Sequence, residues 1–277
     1  MPVIDAHAHL WQLARTPQQW IDPKTMAVID HDFWVDDLAS MQRASGIDGT
    51  ILVQSTNSAQ ETLDLLAIST DPAVAGVVGW IDLEADVSQQ LDVLAAAPGG
   101  ENLVSIRHLA HQDPDPEWLL RPTVDFASLA SRGLVFDVVV HAPQLATAAA
   151  AVAAHPELTF VLDHLGNPPI ASGELGEWRR DIRLIAEQPN VVVKLSGITL
   201  QTNWGDWSID DLREPVDVAL DAFGPERILF GSDWPLLMLA SDAAGWVDIV
   251  RELTPVEHHN AILGGNAERI YLGGQHA

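Results

Sequence analysis

Eight short runs of β-branched and aliphatic residues, set one helix apart, restrict what this chain can fold into more than any other feature. They occupy residues 3–4, 50–53, 77–81, 103–106, 134–140, 159–162, 191–195 and 227–230. Gly, Asp, Asn or Pro bounds them, and they read as strands buried on both faces, as parallel strands are. Their starts lie 25 to 36 residues apart after a first gap of 47, which leaves room for one helix per gap. The gaps carry helix signals. Trp34, Leu38 and Met41 fall at helical spacing ahead of Gly46, and residues 145–154 are almost all alanine and leucine before His155-Pro156. Pro215 reads as the opening of a helix that Gly224-Pro225 closes, and Thr254-Pro255-Val256-Glu257 as an N-cap, first-turn proline and capping-box glutamate. Eight strands alternating with helices over 277 residues fit an α/β chain folded as one (β/α)8 TIM barrel spanning 1–277. An open doubly wound sheet usually has a Gly-rich turn after its first strand. Here that place holds Asp5-Ala6-His7-Ala8-His9, without glycine.

Charge and composition narrow the function. The chain has 14 Lys+Arg against 39 Asp+Glu, a formal charge of −25, which argues against binding nucleic acid or an anionic membrane. It has no cysteine, so disulfides, thiolate nucleophiles and Cys-type metal sites are excluded. No run approaches the roughly 20 apolar residues of a membrane span. Met1-Pro2-Val3-Ile4-Asp5 offers no basic segment followed by an apolar stretch, so no signal peptide is expected. The expectation is a soluble cytoplasmic protein with a small-molecule substrate. Monomer and homo-oligomer are both left open.

Barrel enzymes carry their chemistry at the carboxyl ends of the strands. The first run ends in His7 and His9, which share a strand face and can chelate a metal or polarise a carbonyl. The fourth ends in Arg107-His108 and the sixth in Asp163-His164-Leu165-Gly166. The seventh contains Lys194, one of two lysines, which must find a partner, lose its charge or snorkel to the rim. The eighth ends in Ser232-Asp233-Trp234-Pro235, where Asp233 suits either an Asx turn or a general base. Each signal alone has a structural explanation, but their convergence on one rim does not. Trp11, Trp20 and Trp204 fall in rim loops and are candidates to wall a pocket. His111, His155, His258, His259 and His276 read as structural.

In order along the chain, Asp5-Ala6-His7-Ala8-His9-Leu10-Trp11, Val78-Gly79-Trp80-Ile81-Asp82, Ile106-Arg107-His108, Asp163-His164-Leu165-Gly166, Lys194-Leu195-Ser196-Gly197 and Gly231-Ser232-Asp233-Trp234-Pro235 resemble the amidohydrolase-2 branch of the amidohydrolase superfamily. Within it they resemble the sugar-lactonase group, and the likeness spans residues 3 to 271. The resemblance implies a distorted (β/α)8 barrel that opens a lactone ring. It implies His7, His9, His164 and Asp233 as metal ligands, with Asp233 as general base. Arg107 and His108 match substrate-binding positions, and Lys194, Trp11 and Trp234 join them as substrate-binding candidates. A lysine stands where the wider superfamily has a further histidine. The resemblance therefore implies either one divalent ion, zinc first, or metal-independent catalysis. Decarboxylation of an aromatic or unsaturated acid is the alternative that the same branch offers.

Overall fold

The computed structural model describes residues 2–273, so His276 lies outside the described residues. Eight parallel strands run in sequence order: β1 (Ile4–Ala8), β2 (Gly49–Val53), β3 (Val74–Gly79), β4 (Leu103–His108), β5 (Val135–Val138), β6 (Phe160–Leu162), β7 (Val191–Leu195) and β8 (Ile228–Phe230). Just past β8, Asp233 N donates to His7 O and His9 N to Trp234 O, each at 2.7 Å. These bonds join the last strand to the first, so the sheet curls into a nearly closed barrel. Among the described residues, eight α-helices pack outside: α1 (Val35–Ser45), α2 (Ala59–Ile68), α3 (Val87–Ala95), α4 (Phe126–Ser131), α5 (Leu145–Ala154), α6 (Gly176–Ala186), α7 (Ile209–Phe223) and α8 (Ala243–Leu253). Among the described residues, no helix is long and apolar enough to cross a membrane.

The two hydrophobic clusters follow from strand parity. The larger lies between strands and helices and includes Phe136, Phe160, Val193, Leu38, Trp178 and Trp246. The smaller takes Ile4, Ile51, Val78, Val104, Val135, Val161, Val192 and Leu229 from the eight strands, with Ala267 and Tyr271 from the C-terminal segment. Asp137 and Lys194 stand two residues beyond Val135 and Val192 on the same strand faces, and Asp163 stands two beyond Val161, just past the end of β6. The barrel interior therefore changes from an apolar layer to a charged one toward the carboxyl ends of the strands.

Two sequence expectations are corrected here. The helix containing Pro215 starts at Ile209, because Ser208 and Asp211 close a capping box there; the proline sits buried inside the helix rather than opening it. Thr254 ends α8, its hydroxyl donating to Val250 O at 2.7 Å, instead of capping a new helix. Gly46, by contrast, ends α1 in the left-handed conformation that its position predicts.

Candidate active site

Above the charged layer opens a cavity of about 290 Å³. Its inner end is formed by His9, Arg107, His164 and Asp233, and its outer wall includes Trp20, His111, His141, Asn167, Leu200 and Gln201. Backbone geometry aims the inner groups. Asp233 sits at φ 60° and His164 at φ 55°, left-handed positions that only a surrounding network holds for such residues. For Asp233 that network starts at Asp5, whose buried carboxylate accepts from Ser232 N, Ser232 Oγ and His7 N at 2.7, 2.5 and 3.0 Å. Burial pushes the Asp5 carboxyl up to about 6 against these hydrogen bonds.

Gly197, at φ 62°, lets the β7 loop pass beside His164 and Asp233. A Cβ there would lie 2.4 Å from His164 Nδ1 and 3.0 Å from Asp233 Oδ2.

The charged layer holds His7 from below. Lys194, fully buried, is ion-paired with Asp137 and with Asp163, the latter at 3.0 Å. Asp163 Oδ2 accepts from Arg107 at 2.9 Å, and its Oδ1 lies 3.3 Å from His7 Nδ1. Burial alone would raise the Asp163 carboxyl; Lys194, His7 and Arg107 overcome it and hold it well below the usual carboxylate range. Asp137 also receives hydrogen bonds from Ser105 and Tyr271, yet burial keeps its carboxyl raised. Burial likewise pushes the His7 and His164 imidazoles below their ordinary range, which favours the neutral, ligating form.

Three atoms face one another at the inner end. His7 Nε2 is 3.2 Å from His9 Nε2, and Asp233 Oδ1 is 3.6 and 3.4 Å from those two nitrogens. A tetrahedral ion with ligand bonds of 2.0–2.1 Å would have ligand–ligand edges of about 3.3 Å. His9 Nδ1 donates to Val53 O at 2.7 Å, so its Nε2 carries the lone pair. Asp233 Oδ1 is buried with no hydrogen-bond donor. His164 adds a third imidazole, since His7, His164 and Asp233 present ligand-type atoms within 4.8 Å of one another. This donor set fits a divalent ion. His7 has two self-consistent proton positions. With Nδ1–H on Asp163, Nε2 is free to ligate; with Lys194 donating to Nδ1 at 3.1 Å, Nε2–H points at His9.

The other predicted site residues lie elsewhere. Lys194 neither snorkels nor reaches the cavity; it supports His7 from beneath. His108 is stacked on Trp118 at 3.8 Å and accepts from Trp80, which removes it from the cavity wall. Trp11 is buried and donates to His31 O, and Trp234 packs edge-on against Phe33 at 5.1 Å. Neither lines the cavity; Trp20, 38 % exposed, stands at its mouth instead. Asn167, Gln201 and His141 carry no signal in the sequence reading above, Asp163 enters it only beside His164, and His111 reads there as structural. His141 follows β5 as His164 follows β6, so the strand-end rule applied to every run would have found it.

A parallel barrel whose first, sixth and eighth strands deliver imidazoles and a carboxylate to one cavity has the make-up of a barrel enzyme that works by acid–base or metal-assisted chemistry. The chain belongs to the amidohydrolase family, whose model, described as "Amidohydrolase", matches residues 4–272. It is 36% identical over 291 residues to a Burkholderia multivorans protein named L-fucono-1,5-lactonase, covering 97% of this chain and 95% of the relative. A Burkholderia ambifaria protein of the same name is 35% identical, with 99% and 98% covered. An amidohydrolase from Burkholderia multivorans solved with bound zinc superposes with a TM-score of 0.90 at 34% identity, covering 98% and 99% of the two chains.

Proposed function

We propose that this cavity hydrolyses the ring ester of a sugar-acid lactone. One observation carries the reading: the Asp233 carboxylate is buried at the inner end of a cavity, with Oδ1 unpartnered and two imidazoles within 3.6 Å. The name of the full-length relatives supports the lactone as substrate.

The chain's own groups divide the work. Asp233 takes a proton from the attacking water as the new C–O bond forms at the ring carbonyl. The proton that Asp233 has taken passes from it to the ring oxygen as the ester C–O bond breaks, which leaves Asp233 ionised for the next turnover; His164, neutral and with its Nδ1 held by Ser196 Oγ at 2.9 Å, faces the same space. Arg107 contributes positive charge near the developing oxyanion; its Nε is buried without a partner while its NH1 is fixed by Asp163. His7, His9 and Asp233, with His164 beside them, would hold a zinc ion, which when bound supplies Lewis acidity toward the ester carbonyl.

The test is acid release measured with a pH indicator on sugar-acid and aromatic lactones, with added zinc and with chelator. The expected result is turnover of a sugar-acid lactone that chelator removes and zinc restores. Carbon dioxide released from an aromatic acid, with no acid formed from any lactone, would replace this reading by a decarboxylase.

A further inference from the structure

We infer that the outer wall of the cavity is a subsite that reads the hydroxyls of an uncharged polyol ring, centred on Gln201. The inference rests on the lactonase reading for the chemistry at the inner end, but concerns substituents that do not react.

Charge comes first. The cavity lining contains two charged residues, Arg107 and Asp233, both at the inner end. Arg107 is already engaged by Asp163 and by Gln54 O, so its fork is not free to clamp a second carboxylate. The outer wall contains no Lys, Arg, Asp or Glu. A carboxylate or phosphate on the ring would lose water there and gain no counter-charge.

The polar groups of that wall are oriented. Asn167 Nδ2 donates to Val140 O at 2.8 Å, and Gln201 Nε2 donates to Asn167 Oδ1 at 3.0 Å. A backbone carbonyl only accepts, so it fixes the Asn167 amide, which in turn fixes that of Gln201. Gln201 Oε1 is left as a directed acceptor on the wall. Nearby, His111 Nε2 is 3.2 Å from the donor-only Nε2 of Gln112, which places the ring proton on Nδ1, a buried donor without a partner. Burial also pushes the His111 imidazole down to about 3, so it is neutral at physiological pH. Trp20 at the mouth supplies a face for ring C–H groups. A hydroxyl both donates and accepts, which suits this set; a carboxylate accepts only, and meets Gln201 Oε1 unfavourably.

The experiment is calorimetry on the intact protein with 1,5-anhydrohexitols of gluco, galacto and manno configuration and with their 6-carboxylates. These rings carry hydroxyls but no ester. The expected result is that a neutral ring binds at least about tenfold tighter than its carboxylate. Gln201→Leu should weaken that ring about tenfold, the scale of one lost hydrogen bond, and Gln201→Lys should reverse the preference. Three results overturn the inference: no ring binding to the wild type, equal or tighter binding of the carboxylate, or an unchanged affinity in a folded Gln201→Leu protein. Lactone turnover on the same preparation keeps the two readings apart. Turnover without ring binding refutes the subsite alone, and ring binding with every lactone inert refutes the lactonase.

Discussion

Replacing Lys194 by methionine tests the charged layer beneath the site. Lys194, Asp137 and Asp163 are all fully buried. Methionine keeps most of the volume but removes the charge that faces both carboxylates. Asp163 retains Arg107; Asp137 retains only the hydroxyls of Ser105 and Tyr271. Removing one partner from a buried pair costs about 3–5 kcal/mol, a large share of the roughly 5–15 kcal/mol that holds a domain together. The loss should depend on pH. Burial already raises the Asp137 carboxyl, and Lys194 opposes that rise. Without the lysine the folded value moves further above the unfolded one. Stability is then lost as pH rises through the folded value and regained as it falls. Urea unfolding followed by tryptophan fluorescence should therefore show the variant recovering relative to wild type on acidification. Adding Asp137→Asn, which removes the orphaned charge, should restore at least about 2 kcal/mol at neutral pH. A loss under about 1 kcal/mol, or an Asp137→Asn change that only adds damage, would refute the reasoning.

Gly197→Ala should lower kcat/KM at least about 100-fold, since the new methyl would displace His164 and Asp233; activity within threefold of wild type would show that the loop can yield. Asp5→Asn should change the pH dependence of stability. The wild-type carboxyl, raised to about 6, loses stability as pH rises from about 4 through 6, so the variant should gain on wild type over that interval. Urea midpoints at the two ends of the interval check this, and a constant difference between the two proteins would contradict it.

The barrel was legible because its signal is repetitive. Each buried strand must be an apolar run, and each crossover needs helix-sized spacing, so eight weak readings reinforce one another. His7, His9, Arg107, His164 and Asp233 were legible by the same route, as polar residues at the ends of runs that should be apolar. What escaped was set by side-chain direction. Trp11 and Trp20 occupy one loop, yet the first turns into the core and the second to the cavity mouth. His108 follows Arg107 directly, and strand alternation sends the two apart. For Lys194 the sequence leaves a partner, loss of charge and snorkelling equally open; Asp137 on β5 and Asp163 just past β6, unconnected to it in any linear reading, supply the partners that keep it inside. Asn167 and Gln201 gave no sequence signal, since amides are common in loops and their mutual hydrogen bond joins residues 34 positions apart.

The central claim is that Asp233 and the neighbouring imidazoles act on one ester, and the most direct test is the turnover of Asp233→Asn. The assay should use the sugar-acid lactone that the wild type hydrolyses best, at fixed zinc, with circular dichroism and thermal melting to establish the fold. The account predicts a loss of about 10²–10⁴-fold in kcat with native structure retained. A correctly folded Asp233→Asn protein that opens the lactone at the wild-type rate would contradict it.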